Sequence, residues 1–184
     1  MITPLKGRIC IKKSFVRGSL GTIKIKAMRR ERPRIDNPDV SGIRYAMYKQ
    51  AWNRYNEAYK AKYFIECIAL VESLIADRME SLANEISSSS KFSYSTLEKL
   101  TEYLSGKKQT PMLTESIIQI IGKIVVWKDG RNKAIHEMAK LSEGLNETFE
   151  QKYGELSQIS DTGRELFNEL NNEIRKFRKA NKSD

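Results

Sequence analysis

The chain has 184 residues, 40% of them hydrophobic and 30% charged, with a formal net charge of +10. That length fits one domain with an appendage, with enough apolar content to fill a core. Three classes are set aside: no run approaches the roughly 18 apolar residues of a membrane span, the charge-interrupted N-terminal stretch does not read as a secretory signal, and Cys10 and Cys67 with one histidine suit neither a disulfide framework nor a structural zinc site.

A cytoplasmic protein without metal or cofactor is therefore expected. The charge is unevenly placed. Residues 1–34 hold eleven Lys/Arg and a single acid, Glu31, so their excess equals that of the whole chain. Residues 1–43 read as a basic, mostly extended arm. Gly7, Gly18, Gly21, Gly42, Pro4, Pro33 and Pro38 punctuate it, and Gly-Thr-Ile-Lys-Ile-Lys alternates apolar and basic residues. Arg29, Arg30, Arg32 and Arg34 cluster just before the body of the chain. The readings open for the arm are a grip on RNA or on an acidic protein surface, a disordered, solubilising tail or a start codon placed too early, and, less favoured because Gly and Pro spoil an amphipathic helix, a mitochondrial-type presequence.

From Arg44 the period turns helical, and residues 44–184 are expected to form an all-α, up-and-down helical bundle. Tyr45, Tyr48, Trp52, Tyr55 and Tyr59 make an aromatic stripe with Lys49, Arg54 and Lys60 as basic neighbours. Such a stripe either packs on a neighbouring helix or stacks unpaired bases, and packing is the commoner outcome. The next helix, Ala61–Ile86, presents Phe64, Cys67, Ile68, Val71, Ile75, Met79, Leu82 and Ile86 on one face. Glu72 lies at the border of that face and Arg78 within it. A charge there requires a partner or a way out to water, either by snorkelling or by pairing with Glu72.

Ser95-Thr-Leu-Glu98 predicts a capping box opening a short helix to Leu104, and Pro111 or Thr114 opens an isoleucine-rich helix to Trp127. Lys128-Asp-Gly130 then interrupts the apolar run. Gly130 is expected to end one helix and Asp129 to cap another, carrying Ala134, Met138, Leu141 and Leu145 on its inner stripe. Arg131 and Asn132 would fall in the first turn of that helix, where unpaired backbone N–H groups welcome an anion. His136, the one histidine, lies opposite the stripe and should face away from its own core. A weaker helical stretch is expected over 146–159. Thr162-Gly-Arg-Glu165 reads as a capping box for a final helix carrying Leu166, Phe167, Leu170, Ile174 and Phe177.

The Arg-x4-His spacing, with Asn directly after the Arg, resembles the R-x4–6-H motif of the HEPN superfamily, many of whose members are RNases. Arg131, Asn132 and His136 are the matching residues. The likeness covers residues 44–180 as a helical pattern and is residue-specific only at the motif. It implies a metal-independent endoribonuclease leaving a 2′,3′-cyclic phosphate at a site shared across a homodimer. It also implies a role as toxin or phage-defence effector, with a cognate antitoxin or inhibitor protein as partner. On that resemblance Arg131 binds phosphate, His136 acts as acid and base, Asn132 orients, and Glu72, rather than the outward-pointing Glu66, supports them. Lys128 and Lys133 beside the motif, with Arg29, Arg30, Arg32 and Arg34, are the candidate RNA contacts. The chemistry suits these residue types, because imidazole titrates near neutrality and guanidinium offers phosphate a fixed fork. One His cannot hold both protonation states at once, which is why a dimer is expected. The other class of reading is a non-catalytic helical module that binds RNA or a protein through the basic arm.

Overall fold

The structure, a computed structural model, describes residues 38–89, 91–138, 140 and 148–181, with side chains from residue 42 onward. Its described residues form five α-helices and a 3-10 turn, with no strand. The helices are α1 (Pro38–Lys60), α2 (Phe64–Ile86), α3 (Leu97–Leu104), α4 (Glu115–Glu137) and α5 (Phe149–Ala180), with the 3-10 turn at Thr110–Met112 between α3 and α4. None of them is long and apolar enough to cross a membrane. The arm's basic cluster and its alternating segment lie outside the described residues; α1 starts at Pro38, inside the stretch read as arm.

Helices α2 and α5 form the centre. Helix α1 packs along α2, α4 packs along α5, and short α3 bridges α2 and α4. The stripe read from the sequence of α2 is the core: Cys67, Ile68, Val71, Ile75, Met79 and Leu82 are all buried, against Ile117, Ile121 and Ile124 of α4 and Leu156 and Leu170 of α5. Helix α2 begins at Phe64 rather than Ala61 because Ala61-Lys-Tyr63 makes the turn out of α1. Tyr63 N–H returns to Ala58 O at 2.8 Å, Lys62 takes the left-handed conformation (φ 61°), and Tyr153 of α5 donates its hydroxyl to Lys62 O at 2.8 Å.

The aromatic stripe of α1 is mostly packing. Tyr55 is fully buried and shares a 2.9 Å hydrogen bond with Ser160 Oγ; Tyr59 donates to Asp161 at 2.7 Å; Trp52 meets Phe167 edge to face at 5.3 Å. Tyr45 alone remains largely exposed, at 74%.

Three expected boundaries move. Thr96, not Ser95, caps α3, accepting from Lys99 N–H at 3.3 Å; Thr114, one of the two openings expected, caps α4. Helix α4 does not break at Lys128-Asp-Gly130 but runs on to Glu137. A glycine inside a helix costs only ~1 kcal/mol relative to alanine, and contacts on both sides of Gly130 outweigh that. Trp127 donates its indole N–H to Ile159 O at 2.8 Å, and Lys152 of α5 donates to the carbonyls of Glu137 (3.4 Å) and Lys140 (2.6 Å) at the helix's end. The expected break before the last helix is also absent, and α5 is a single helix capped at Thr148, whose side chain and backbone exchange hydrogen bonds with Gln151. Thr162 instead sits mid-helix, its hydroxyl donating back to Gln158 O at 2.9 Å. Gly163 is there for closeness: a Cβ at this position would lie 2.7 Å from the Trp127 ring and 3.0 Å from Val71 Cγ1.

Candidate functional site

Because α4 is continuous, the five-residue step from Arg131 to His136 turns the side chains about 140° apart. The two motif residues therefore lie on different sides of one helix. Arg131 continues the inner stripe one turn beyond Trp127 and closes the end of the core. Its guanidinium makes a 2.5 Å ion pair with Glu72 of α2 and stands 5.9 Å from the centre of the Trp127 ring. The pair is largely sheltered, with side-chain exposures of 15% for Arg131 and 29% for Glu72, and Arg131 Nε is buried without a hydrogen-bond partner. The acid foreseen on an early helix thus meets the motif arginine directly. Glu66 is occupied elsewhere, held by Arg54 at 2.6 Å.

His136 is exposed, as expected from its position opposite Ala134 and Met138, both of which pack on the core; Leu141 and Leu145 lie outside the described residues. Asn132 and Lys133 are exposed too. The expectation that Arg131 and Asn132 present free backbone N–H groups at a helix start is corrected, since both lie within the last turns of α4. Lys128 is likewise not a free RNA contact: only 14% exposed, it lies 3.8 Å from Glu98 and 3.5 Å from Asp129. Arg29, Arg30, Arg32 and Arg34 lie outside the described residues. Arg78 neither snorkels freely nor pairs with Glu72. Six positions along α2 separate their directions by about 240°, and the Arg78 guanidinium rests 4.6 Å from the centre of the Tyr48 ring.

The structure thus joins Glu72 with Arg131 and sets His136, Lys133 and Asn132 together on the outer face of α4. Two residues that hold this geometry had no sequence motif to announce them. Trp127 fixes the helix against α5 from the inside, and Lys152 ties down its last carbonyls. The first is legible only as an apolar residue at the right period, and the second as one lysine among many. No group of three or more His, Cys, Asp or Glu is placed to hold a metal ion among the described residues. Comparison of the chain with protein-family models, with curated proteins and with solved structures finds no match.

Proposed function

We propose that this chain is a metal-independent endoribonuclease of the HEPN kind, cutting RNA where two copies meet. The observation that carries the reading is the Arg131–Glu72 pair, the arginine–acid partnership the resemblance calls for, on the helix whose outer face presents His136. That face can accept a second copy of itself. Val126 is 73% exposed, and a Cβ at Gly122 or Gly130 would meet nothing within 4 Å, so another helix can come close there. With two α4 helices apposed, one His136 takes the proton from a ribose 2′-OH as its oxygen bonds to phosphorus. The other gives a proton to the departing 5′-oxygen as the P–O5′ bond breaks. The products are a 2′,3′-cyclic phosphate and a 5′-hydroxyl. Lys133, about 60° round the helix from His136, supplies a cation to the crowded phosphorane. Arg131 acts by positioning, fixing this end of α4 on α2 through Glu72. A toxin or phage-defence effector, with an antitoxin or inhibitor as partner, is the biological setting this activity suits.

The test is incubation with total RNA and with tRNA in EDTA. Wild type cleaves and leaves cyclic-phosphate ends, His136→Ala does not, and Val126→Glu loses both dimer and cleavage. Equal cleavage by the His136→Ala protein, or full cleavage by a monomer, would refute the reading. A second reading, a non-catalytic RNA- or protein-binding module, is favoured by the turn of about 140° that separates Arg131 from His136 in one protomer. RNA binding with no cleavage at any protein concentration would select it.

A further inference from the structure

A cleft of about 600 Å³ opens between α1, α2 and α5, away from the motif, and neither Arg131 nor His136 lines it. Its size is that of a small-ligand site. Five of its lining residues are basic and none is acidic. Two of the five are already engaged: Arg44 lies 3.4 Å from Asp77, which also accepts from the Tyr48 hydroxyl, and Arg178 contacts Glu85 at 2.8 Å and Ser81 at 2.9 Å. Arg78, Lys49 and Arg175 have no acid within ion-pair distance among the described residues.

Arg78 is the informative one. It rises from the apolar stripe of α2 into the cleft wall, with its guanidinium over the Tyr48 ring and its Nε buried without a hydrogen-bond partner. Burial lowers its pKa below the ordinary guanidinium value, Tyr48 and Asp77 offsetting this in part. Across the cleft, Asn171 of α5 has a buried side-chain oxygen that is also unpartnered. Buried polar atoms without partners are uncommon in folded proteins. Here the two residues, from different helices, line the same cleft, the unpartnered atoms lying beneath its surface. The remaining wall is aromatic apart from Asn53: Trp52 and Phe167 inside, Tyr45 exposed at the side.

Cations without an ion-pair partner among the described residues, an amide able to donate and accept, and aromatic rings of which Tyr45 is exposed form one recognisable chemistry. Phosphate oxygens answer the guanidinium and ammonium groups, a base stacks on the ring, and its polar edge answers the amide. We propose that this cleft holds a nucleotide unit of a single-stranded nucleic acid, with its phosphate on Arg78, Lys49 and Arg175 and its base on the Tyr45–Trp52 side. The site is separate from the proposed cleavage face and stands whether or not the chain cuts RNA.

The experiment uses the full chain and a short fluorescent oligoribonucleotide, 2′-O-methylated so that it cannot be cleaved, followed by anisotropy over a salt series. Arg175→Glu and Tyr45→Ala change exposed residues and should leave the fold intact; Arg78→Met replaces a charge on an apolar stripe. Each is expected to weaken binding by about fivefold or more, and both arginine changes should flatten the salt dependence. Lys107→Glu, which reverses an exposed charge outside both the cleft and the cleavage face, should bind like wild type, so a general loss of positive charge does not mimic the result. ADP that competes at equal or lower concentration than the oligonucleotide assigns the cleft to free nucleotides; an oligonucleotide that binds tighter assigns it to a strand. Equal binding by all three variants, equal binding of a blunt duplex, or equal competition by poly-glutamate would overturn the proposal, since a site for charge alone needs no base.

Discussion

Two arginines reach into this small bundle and meet opposite circumstances. Arg131, at the end of α4, finds Glu72 at 2.5 Å and lies beside Trp127. Arg78, on α2, finds an aromatic ring and an open cleft, while Asp77, next to it in the chain, is engaged by Tyr48 and Arg44. The same side chain thus closes the core in one place and leaves a charge on offer in the other. The difference teaches where to look for work done outside the fold. The Nε of both arginines is buried without a hydrogen-bond partner, so the difference lies in the acid: a sheltered charge paired with one is accounted for by structure, and one without it is where a ligand is proposed.

The contrast can be broken first at Glu72. Glu72→Ala leaves Arg131 in its shelter without a counter-ion, and chemical denaturation should show a loss of about 2–4 kcal/mol, somewhat below a fully buried pair because both groups retain some solvent. Adding Arg131→Met should recover much of that loss; simple additivity in the double variant would mean that the pair is not coupled. Next comes Gly163→Ala, which drives a methyl against the Trp127 ring and Val71. Overpacking of this kind costs ~1–3 kcal/mol, and a Tm equal to wild type would show that α4 does not press on α5 at Gly163. Smallest is Arg78→Met. Removing an under-compensated charge from an apolar stripe should change stability by less than about 1 kcal/mol, in the stabilising direction if at all. A loss as large as that of Glu72→Ala would mean that Arg78 has a structural partner and that the comparison fails.

Much of this architecture is legible in the sequence, and most of the misreadings fall at helix ends. The stripe from Phe64 to Ile86 is correctly assigned because its period is unbroken and its residues are large. The contact from Glu72 to Arg131 is legible only in part: a carboxylate at the border of an apolar face requires a cation, which leaves Arg78 and Arg131 both open, and the resemblance is what singles out Arg131. One misreading falls at Gly130, where a glycine reads as punctuation. Local propensity offers ~1 kcal/mol against a continued helix, and tertiary contacts made by Trp127, Arg131 and Lys152 exceed it. Thr162-x-x-Glu165 carries the letters of a cap, but its hydroxyl bonds backward to Gln158, an alternative that spacing alone does not distinguish. The fate of Arg78 was harder still. Both outcomes anticipated for it concern its own helix or bulk water, and the answer came from a ring on α1.

The two tryptophans fall, one each, on the two sides of this contrast. Trp127 is enclosed, its indole N–H committed to a backbone oxygen of α5, so its emission tracks whether the bundle is assembled. Trp52 borders the cleft beside Phe167, where an arriving ring or a diffusing quencher can touch it. A single sample excited in the ultraviolet therefore carries two gauges without any added label: a bluer component for integrity and a redder one for occupancy, separable by acrylamide.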